Sequence, residues 1–463
     1  MRVAIQRFFQ ALHYLFPRPQ TMRQHIVQNL ILGLLVIFVV IGMQESKTVD
    51  QSQTDALDWM IGLQKGLPPP DNSNARPFVY YDIDEKSFES WGEPFYTPRE
   101  KLAILIDAAL KQKPEILVID IELWRSTNED EPLVNVLQSH SSMVDAPLLV
   151  LMPGFRQIES DADSNQAYLI RRASKFDYLT KNNEKIIWAS PLFEIDHDGM
   201  FRHWKVWQPY CDQNGQPALL PSAQVAVTAQ MQGKESMNNL KLALKKYAPL
   251  RCNSRTPVLE KPLQLGSITL SNQNKHYTQR ILFSIPWKLE PNEVRPVIKW
   301  KGKNWSLLTI VPARVITEGS VHPQVPPGHI AVIGSSHQDA RDTHNTPLGK
   351  MPGSMILINS IYSFIVHGQV QPPSLFFHFF ISVALLIVMS IIFARFPSVL
   401  GSVISFLFLI IVLMPVSIYF FRYGIWIDFV TPILVVKIFQ ECMNYIREQH
   451  SHLKGTSDDH SLT

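Results

Sequence analysis

The stretch AVIGSSHQDARDTHNTPLGKMPG, residues 331–353, decides how the chain is read. It opens as a buried strand, stops at a glycine and runs into small polar residues, charges and a proline turn. The outline is that of a phosphate loop, but the Gly-Lys-Ser/Thr that grips phosphate and magnesium is missing. The better reading is a structural turn. Gly334 lets the strand end sharply, Asp342 bonds backbone donors of the turn, and Pro347 with Gly349 shapes a second bend. The following SMILINSIYSFIVHG (354–368) reads as a helix.

Hydropathy sets the surroundings of that turn. The chain has 463 residues, 46% of them hydrophobic, but that average hides two unlike parts. The middle, 44–373, is polar and proline-containing, while the ends are strongly apolar. LILGLLVIFVVIGM (30–43), extended by Ile26 and Val27, approaches the ~20 apolar residues that a bilayer crossing needs. LFFHFFISVALLIVMSIIFA (375–394) and VLGSVISFLFLIIVLMPVSIYFF (399–421) are further candidates. GIWIDFVTPILVVKIF (424–439) is a weaker one, because it carries Asp428 and Lys437. Four spans are expected, with Tyr423 and Trp426 as interfacial anchors.

Arg2, Arg7, Arg18 and Arg23 precede the first span with no acidic residue among them, which places the N-terminus in the cytoplasm. GMQES is not a small-x-small cleavage site, so the first span reads as a retained anchor rather than a signal peptide. The expected layout is a basic amphipathic segment 1–25, a span 26–43, an exported domain 44–373, three spans within 374–440 and a cytoplasmic tail 441–463. The segment VAIQRFFQALHYLF either lies on the membrane face or packs on a partner. Lys+Arg is 43 and Asp+Glu is 40, so a basic nucleic-acid surface gains no support. An exported loop also meets almost no ATP. Cys211 and Cys252 fall in the exported part, where a disulfide or two free thiols both remain open. Cys442 falls at the cytoplasmic boundary.

Within the exported part, FVYYDIDEKSF (78–88) reads as a strand ending in acids. TPRE (97–100) reads as a capping box with Pro98 at the first helical position, opening a helix to 112. PEILVIDIEL (114–123) reads as a second buried strand. Strand, helix, strand in this order suggests a βαβ unit in which the two strands pair in parallel. Further strands are expected at 147–153, 185–190, 200–207, 281–285 and 329–334, and a helix at 222–231. The stretches 155–180 and 233–280 read as insertions or long loops.

These blocks in this order resemble the CHASE2 domain, an extracytoplasmic bacterial sensor module. DIDEKSF, TPRE and VIDIEL look like the family's first block, DHDGMFRHW like its Asp-Gly-x-x-Arg hairpin, and GHIAVIGSS with TPLGKMPG and INSIYSFIVHG like its last. The family's three spans after the domain match 375–439. The resemblance implies an α/β extracytoplasmic sensor domain, a mixed sheet with flanking helices, joined to an all-α bundle of four transmembrane helices. It implies ligand-binding or structural roles for Asp84, Ser87, Arg99, Asp120, Arg202, Gly334, Asp342, Pro347, Gly353 and Asn359. One departure is WGEPFYTPR, which has Phe and Tyr where the family carries a tryptophan-rich turn. Another is the tail EQHSHLKGTSDDHSLT, which leaves no room for the kinase or cyclase of family receptors.

The acids Asp82, Asp84, Glu85, Asp120 and Glu122 sit at two strand ends. They read either as a divalent-cation site or, preferably, as turn caps with a salt bridge to Arg99. His337, His344 and His367 match no metal template and read as solvated loop histidines. His197, Arg202, His203, Trp204 and Trp207 read as a half-buried ribbon rather than a ligand site. Asp428 reads as an anchor or helix contact. No cofactor, metal or catalytic residue is expected, and no hydrolase constellation is present. The expected function is a non-enzymatic sensor of the bacterial inner membrane, with a separate effector protein as partner. The bilayer, an unidentified small ligand and a homodimer complete the expected surroundings. The alternative is a scaffold subunit of an envelope complex.

Overall fold

Four of the apolar runs are unbroken rather than alternating, the pattern of strands buried on both faces of a parallel sheet. In a computed structural model, they form that sheet. The structure describes residues 21–445 except 43–46, 71–73, 159–167, 182, 253–255, 272–277, 292, 320–322, 371–374, 397, 430–431, 434–436 and 443. The segment 1–20 and the tail from 446 therefore lie outside the described residues. The chain divides into two units, Ile61–Val370 and the remainder.

The first unit is built on strands β1 (Phe78–Ile83), β2 (Ile116–Glu122), β3 (Leu148–Met152), β4 (Ile186–Trp188), β5 (Leu308–Pro312) and β6 (Ile330–Ser335). Their order is β5-β1-β6-β2-β3-β4, and every pair is parallel. Antiparallel pairing is confined to smaller sheets, so the expected mixed sheet is corrected to a parallel one. The expected β1–β2 pairing also fails. β6, from far along the chain, lies between them, with Asp82 in register with Gly334. Strand order is set by long-range burial, which a local βαβ pattern does not carry.

Besides the short turn of helix Asp177–Thr180, the helices described within this unit are α1 (Glu85–Ser90), α2 (Arg99–Lys111), α3 (Glu131–Ser142), α4 (Ala223–Met231), α5 (Lys234–Lys246), α6 (Ala313–Thr317) and α7 (Gly353–His367). One sheet face presents Val79, Tyr81, Leu117, Ile119, Leu149, Leu151, Ala331 and Ile333 to Leu102, Leu105 and Ile106 of α2 and to Leu133 and Leu137 of α3. The other face lies under α7 and α4. The unit is thus a three-layer α/β domain.

Several local expectations change. α2 starts at Arg99 behind Pro98, and Thr97 makes no capping bond. Residues 281–285 are largely buried but form no strand: Ile281 N–H donates to Arg202 O at 2.8 Å, and N–H groups beyond it turn to side chains of α7. Leu282 N–H donates to Ser363 Oγ at 3.0 Å, and Ser284 and Ile285 N–H donate to Asn359 Oδ1 at 3.0 and 2.9 Å. The single strand expected at 200–207 breaks into Phe201–Trp204 and Trp207–Cys211. The stretch 233–280 is not a loop but holds α5 and the hairpin Leu263–Leu265/Ile268–Leu270. The stretch 155–180 contains the strands Phe155–Ile158 and Tyr168–Arg171.

In the other unit, the helices Met22–Gly42 and Leu375–Arg395 have 21 residues each. Asn29 Nδ2 donates to Ser390 O at 3.3 Å, and a Cβ at Gly33 would collide with Leu386, so a small residue sets the helix approach. Among the described residues, one helix, Val403–Phe421, is long and apolar enough to cross a bilayer, with a mean hydropathy of 2.7 over 19 residues. A π turn at Leu409–Leu413 precedes Pro415. The span expected at 424–439 is not helical at 424–429. Gly424, at φ +75°, closes the preceding helix, and Ser417 Oγ then donates to Ile427 O at 2.6 Å. Asp428 accepts from Gln53 Nε2 at 3.0 Å.

Candidate functional site

In parallel α/β sheets, ligands bind outside the carboxyl ends of the strands, where the chain reverses its direction of winding. Here the chain winds from β1 towards β2, β3 and β4 on one side and places β5 on the other. At that edge, Asp82 of β1 and Asp120 of β2 flank Gly334 of β6, on the face covered by α7. A Cβ at Gly334 would collide with Ser354 Oγ of α7. The glycine is therefore required by the close approach of the helix, and its φ is not in the left-handed region. Ser354 Oγ in turn donates to Asp120 Oδ2 at 2.7 Å.

Asp342 reaches the same place from the loop after β6. Its Oδ1 is 2.8 Å from His344 Nε2, and its carboxylate fills the space that a Cβ at Gly353 would need. The Gly353 N–H donates to Asp342 O at 2.8 Å. Pro347 lies in the two-residue turn of the hairpin Thr343–Thr346/Gly349–Pro352, where Gly349 takes φ +92°. His344 packs on Phe201 with ring centroids 4.3 Å apart, and Met200 bridges to Asn345. The hairpin Phe193–Ile195/Phe201–Trp204 thus leans on this loop. Between them opens a cleft of about 260 Å³ lined by Asp120, Pro191, Phe193, Ile195, Phe201, Asp342, His344 and Gly353.

Burial raises the Asp120 carboxyl to about 7; the Ser354 hydroxyl opposes the shift and the Asp342 charge adds to it. Burial also raises Asp82 to about 6, opposed by bonds from Ser336 and Tyr80 and assisted by Asp84. Ser336 Oγ donates to Asp82 Oδ2 at 2.8 Å. The folded protein therefore holds a proton on Asp120 that the unfolded chain releases near pH 4. This group lowers stability as pH rises from about 4 to 7, and the penalty is complete above 7. Asp120→Asn keeps an acceptor for Ser354 and removes the charge. It is expected to stabilise the full-length protein by about 2 kcal/mol at pH 8, discounted for the open cleft, and not at pH 4. Thermal unfolding of both proteins at the two pH values checks this; a destabilised variant at pH 8 would refute it.

The other expected site residues lie apart from the cleft. Asp84 caps α1 by accepting from Ser87 N–H at 2.9 Å, and Ser87 Oγ accepts from Arg314 N–H at 3.0 Å. Asp84→Ala is expected to cost about 1 kcal/mol, as for other lost caps, with ligand binding unchanged. Equal thermal midpoints for variant and parent would count against the cap. Arg99 does not pair with the strand-end acids. It faces Asp130 at 3.3 Å and donates to Arg125 O at 3.0 Å, because α2 carries it towards the loop before α3. Glu122 accepts from Trp124 Nε1 at 2.9 Å and Glu85 from Gln338 N–H at 2.9 Å. Arg202 is clamped by Asp196 and Asp198 at 2.9 and 2.6 Å within its hairpin, and His203 Nδ1 lies 2.8 Å from Asp196. Trp204 packs on Phe364, and Trp207 packs on Tyr247. Cys211 and Cys252 are joined by a disulfide, with their Cα atoms 5.6 Å apart.

The loop histidines are not simply solvated. His337 stacks on Phe88 at 4.1 Å and burial lowers its pKa, while His367 lies edge-on to Tyr362 and burial lowers it to about 4. Among the described residues, no group of three His, Cys, Asp or Glu could hold a metal ion. Sequence reading missed Ser354, Phe193 and Phe201. A serine in the first turn of a helix reads as local capping, and here its partner lies on β2.

The α/β domain thus carries a crevice of mixed polar and apolar lining at its strand ends. The CHASE2 domain family matches residues 33–395, and the chain belongs to it. The family comprises extracytoplasmic sensor domains. No curated protein and no solved structure matches the chain.

Proposed function

We propose that this chain is a non-enzymatic inner-membrane sensor whose α/β domain lies outside the membrane and whose output is carried by a separate effector protein. The observation that carries the proposal is the placement of α7. Its first turn, Gly353 and Ser354, forms one wall of the cleft through Asp342 and Asp120. Its last turn ends at His367, shortly before the helix Leu375–Arg395. A ligand that changes the contacts of Asp120 or Asp342 bears directly on the element that leads the chain back to the apolar helices. Coupling then requires that the ligand favour one of two arrangements of those helices.

The membrane reading rests on the lengths of the apolar helices. Twenty-one residues at ~1.5 Å each match the ~30 Å bilayer core for Met22–Gly42 and Leu375–Arg395. Val403–Phe421 supplies a third crossing. Crosslinking the full-length protein in membranes, followed by mass spectrometry of the captured partners, tests the proposal. Recovery of a kinase, cyclase or transcription regulator is the expected result. Recovery of envelope assembly proteins alone, in fixed ratio, would replace the sensor by a scaffold.

A further inference from the structure

We propose that the cleft at the carboxyl edge of the sheet binds a small organic ammonium ion with an apolar body, an inference that rests on the sensor reading for its purpose and on the cleft itself for its chemistry. The volume of about 260 Å³ falls below the ~300–1,000 Å³ of drug-sized sites, which suits a compact molecule. Pro191, Phe193, Ile195 and Phe201 form an apolar wall. Asp120 and Asp342 form the acidic one. Each carboxylate has spent only one oxygen on the protein. Asp120 Oδ2 accepts from Ser354 and Asp342 Oδ1 meets His344; among the described residues, no hydrogen bond reaches Asp120 Oδ1 or Asp342 Oδ2.

Other ligand classes fit this lining less well. Among the described residues, no lysine or arginine lines the cleft, and its histidine, His344, is already paired with Asp342, so an anion would meet two carboxylates. The start of α7 offers an anion little, because the Gly353 N–H already donates to Asp342 O. A hard metal ion needs six or more oxygen ligands, and the titratable groups here form no such cluster. A neutral apolar molecule would leave Asp120 and Asp342 facing it without partners, at a desolvation cost. An ammonium group satisfies both acids, and the rings of Phe193 and Phe201 accept both its charge and its hydrocarbon.

The groups facing Asp120 across the cleft and around it are Asp342 and its partner His344 from the loop and hairpin after β6, Ser354 from α7 and Tyr80 from β1. An alkylammonium stays protonated throughout the neutral range, so proton loss from Asp120 is the relevant titration. Binding favours the carboxylate and releases its proton, and affinity rises from about pH 6 to about pH 8.

The test is calorimetric titration of the full-length protein in lipid nanodiscs with phenethylamine, 2-phenylethanol, 3-phenylpropionate and calcium chloride. Phenethylamine is expected to bind saturably and the other three at least about tenfold more weakly. Phe201→Ala and Asp120→Asn are each expected to weaken it by about tenfold or more, with Asp342→Asn as the second acidic variant should Asp120→Asn fail to fold. Absence of saturable phenethylamine binding, equal binding of the alcohol, preference for the propionate or calcium, or undiminished binding in the variants overturns the proposal. Phenethylamine binding that leaves partner crosslinks unchanged supports the site and removes the sensor reading. Crosslinks to an effector without phenethylamine binding keep the sensor and remove this ligand.

Discussion

Asn359→Leu is expected to destabilise the protein by about 4 kcal/mol, a lowering of the thermal midpoint by about 10 °C. Asn359 is fully buried on α7 and uses its whole amide. Its Oδ1 accepts from the N–H groups of Ser284 and Ile285, and its Nδ2 donates to Ile285 O at 2.9 Å and Met355 O at 3.0 Å. Leucine has nearly the same size, so the loss is not one of volume. It strands two backbone N–H groups and a carbonyl in an apolar layer that contains Phe283 and Ile285. Each unsatisfied group costs roughly 1–3 kcal/mol, and relaxation of the segment recovers part of the sum. Ile361→Val on the same helix removes one methylene and is the comparison, expected at about 1 kcal/mol. Thermal unfolding of the full-length protein, followed by tryptophan fluorescence, measures both. A shift for Asn359→Leu no larger than that for Ile361→Val would mean that the segment 281–285 is held by packing alone.

This residue also shows what could be read from the chain and what could not. The strands at 78–83, 116–122, 148–152, 186–188 and 330–335 were legible because a strand buried on both faces is a continuous apolar run. The helices at 223–231 and 353–367 were legible from apolar composition between turn residues. ILFSI at 281–285 has the same composition as those strands, yet three of its N–H groups, those of Leu282, Ser284 and Ile285, donate to side chains of α7. Composition reports burial, not the identity of the partner. The same limit hid the insertion of β6 between β1 and β2, since neighbours in a sheet need not be neighbours in sequence.

Of the candidate site, Asp120, Asp342, Gly334 and Gly353 were marked by motif. Their meeting depends on Ser354, whose partner is 234 positions away. Gly334 was identified correctly and explained wrongly. A turn would ask for a positive φ, whereas the structure asks only for room beside a helix. Phe193, Ile195 and Phe201 were invisible as ligand contacts, because an alternating hairpin reads as ordinary packing until it is seen to lie across the strand ends.

Arg99→Met is expected to cost about 3–4 kcal/mol for a related reason, the exposure of a buried charge to its own desolvation. The Arg99 and Asp130 side chains are each only 3% exposed and lie 3.3 Å apart. Methionine fills the space of the aliphatic stem but offers nothing to Asp130 or to the Arg125 carbonyl, which now accepts from Arg99 Nη2 at 3.0 Å. Asp130 keeps partial compensation from the Thr127 N–H and hydroxyl, both at 2.9 Å, and from Lys175 at 3.2 Å. The expected loss therefore falls at the low end of the ~3–5 kcal/mol seen when one partner of a buried pair is removed. Although burial works to raise it, the Asp130 carboxyl is held below its ordinary value by Thr127, Lys175 and Arg99 together. In the parent protein this group contributes stability above about pH 4 that disappears as pH falls through the lowered folded value. Arg99→Met should flatten that acid limb of the stability profile, because the carboxyl has lost one of the charges that hold it down. Asp130→Asn added to Arg99→Met removes the stranded charge and is expected to recover about half of the loss, giving a non-additive cycle. Additive losses across that cycle would show that Arg99 acts through packing of its aliphatic stem and not through Asp130.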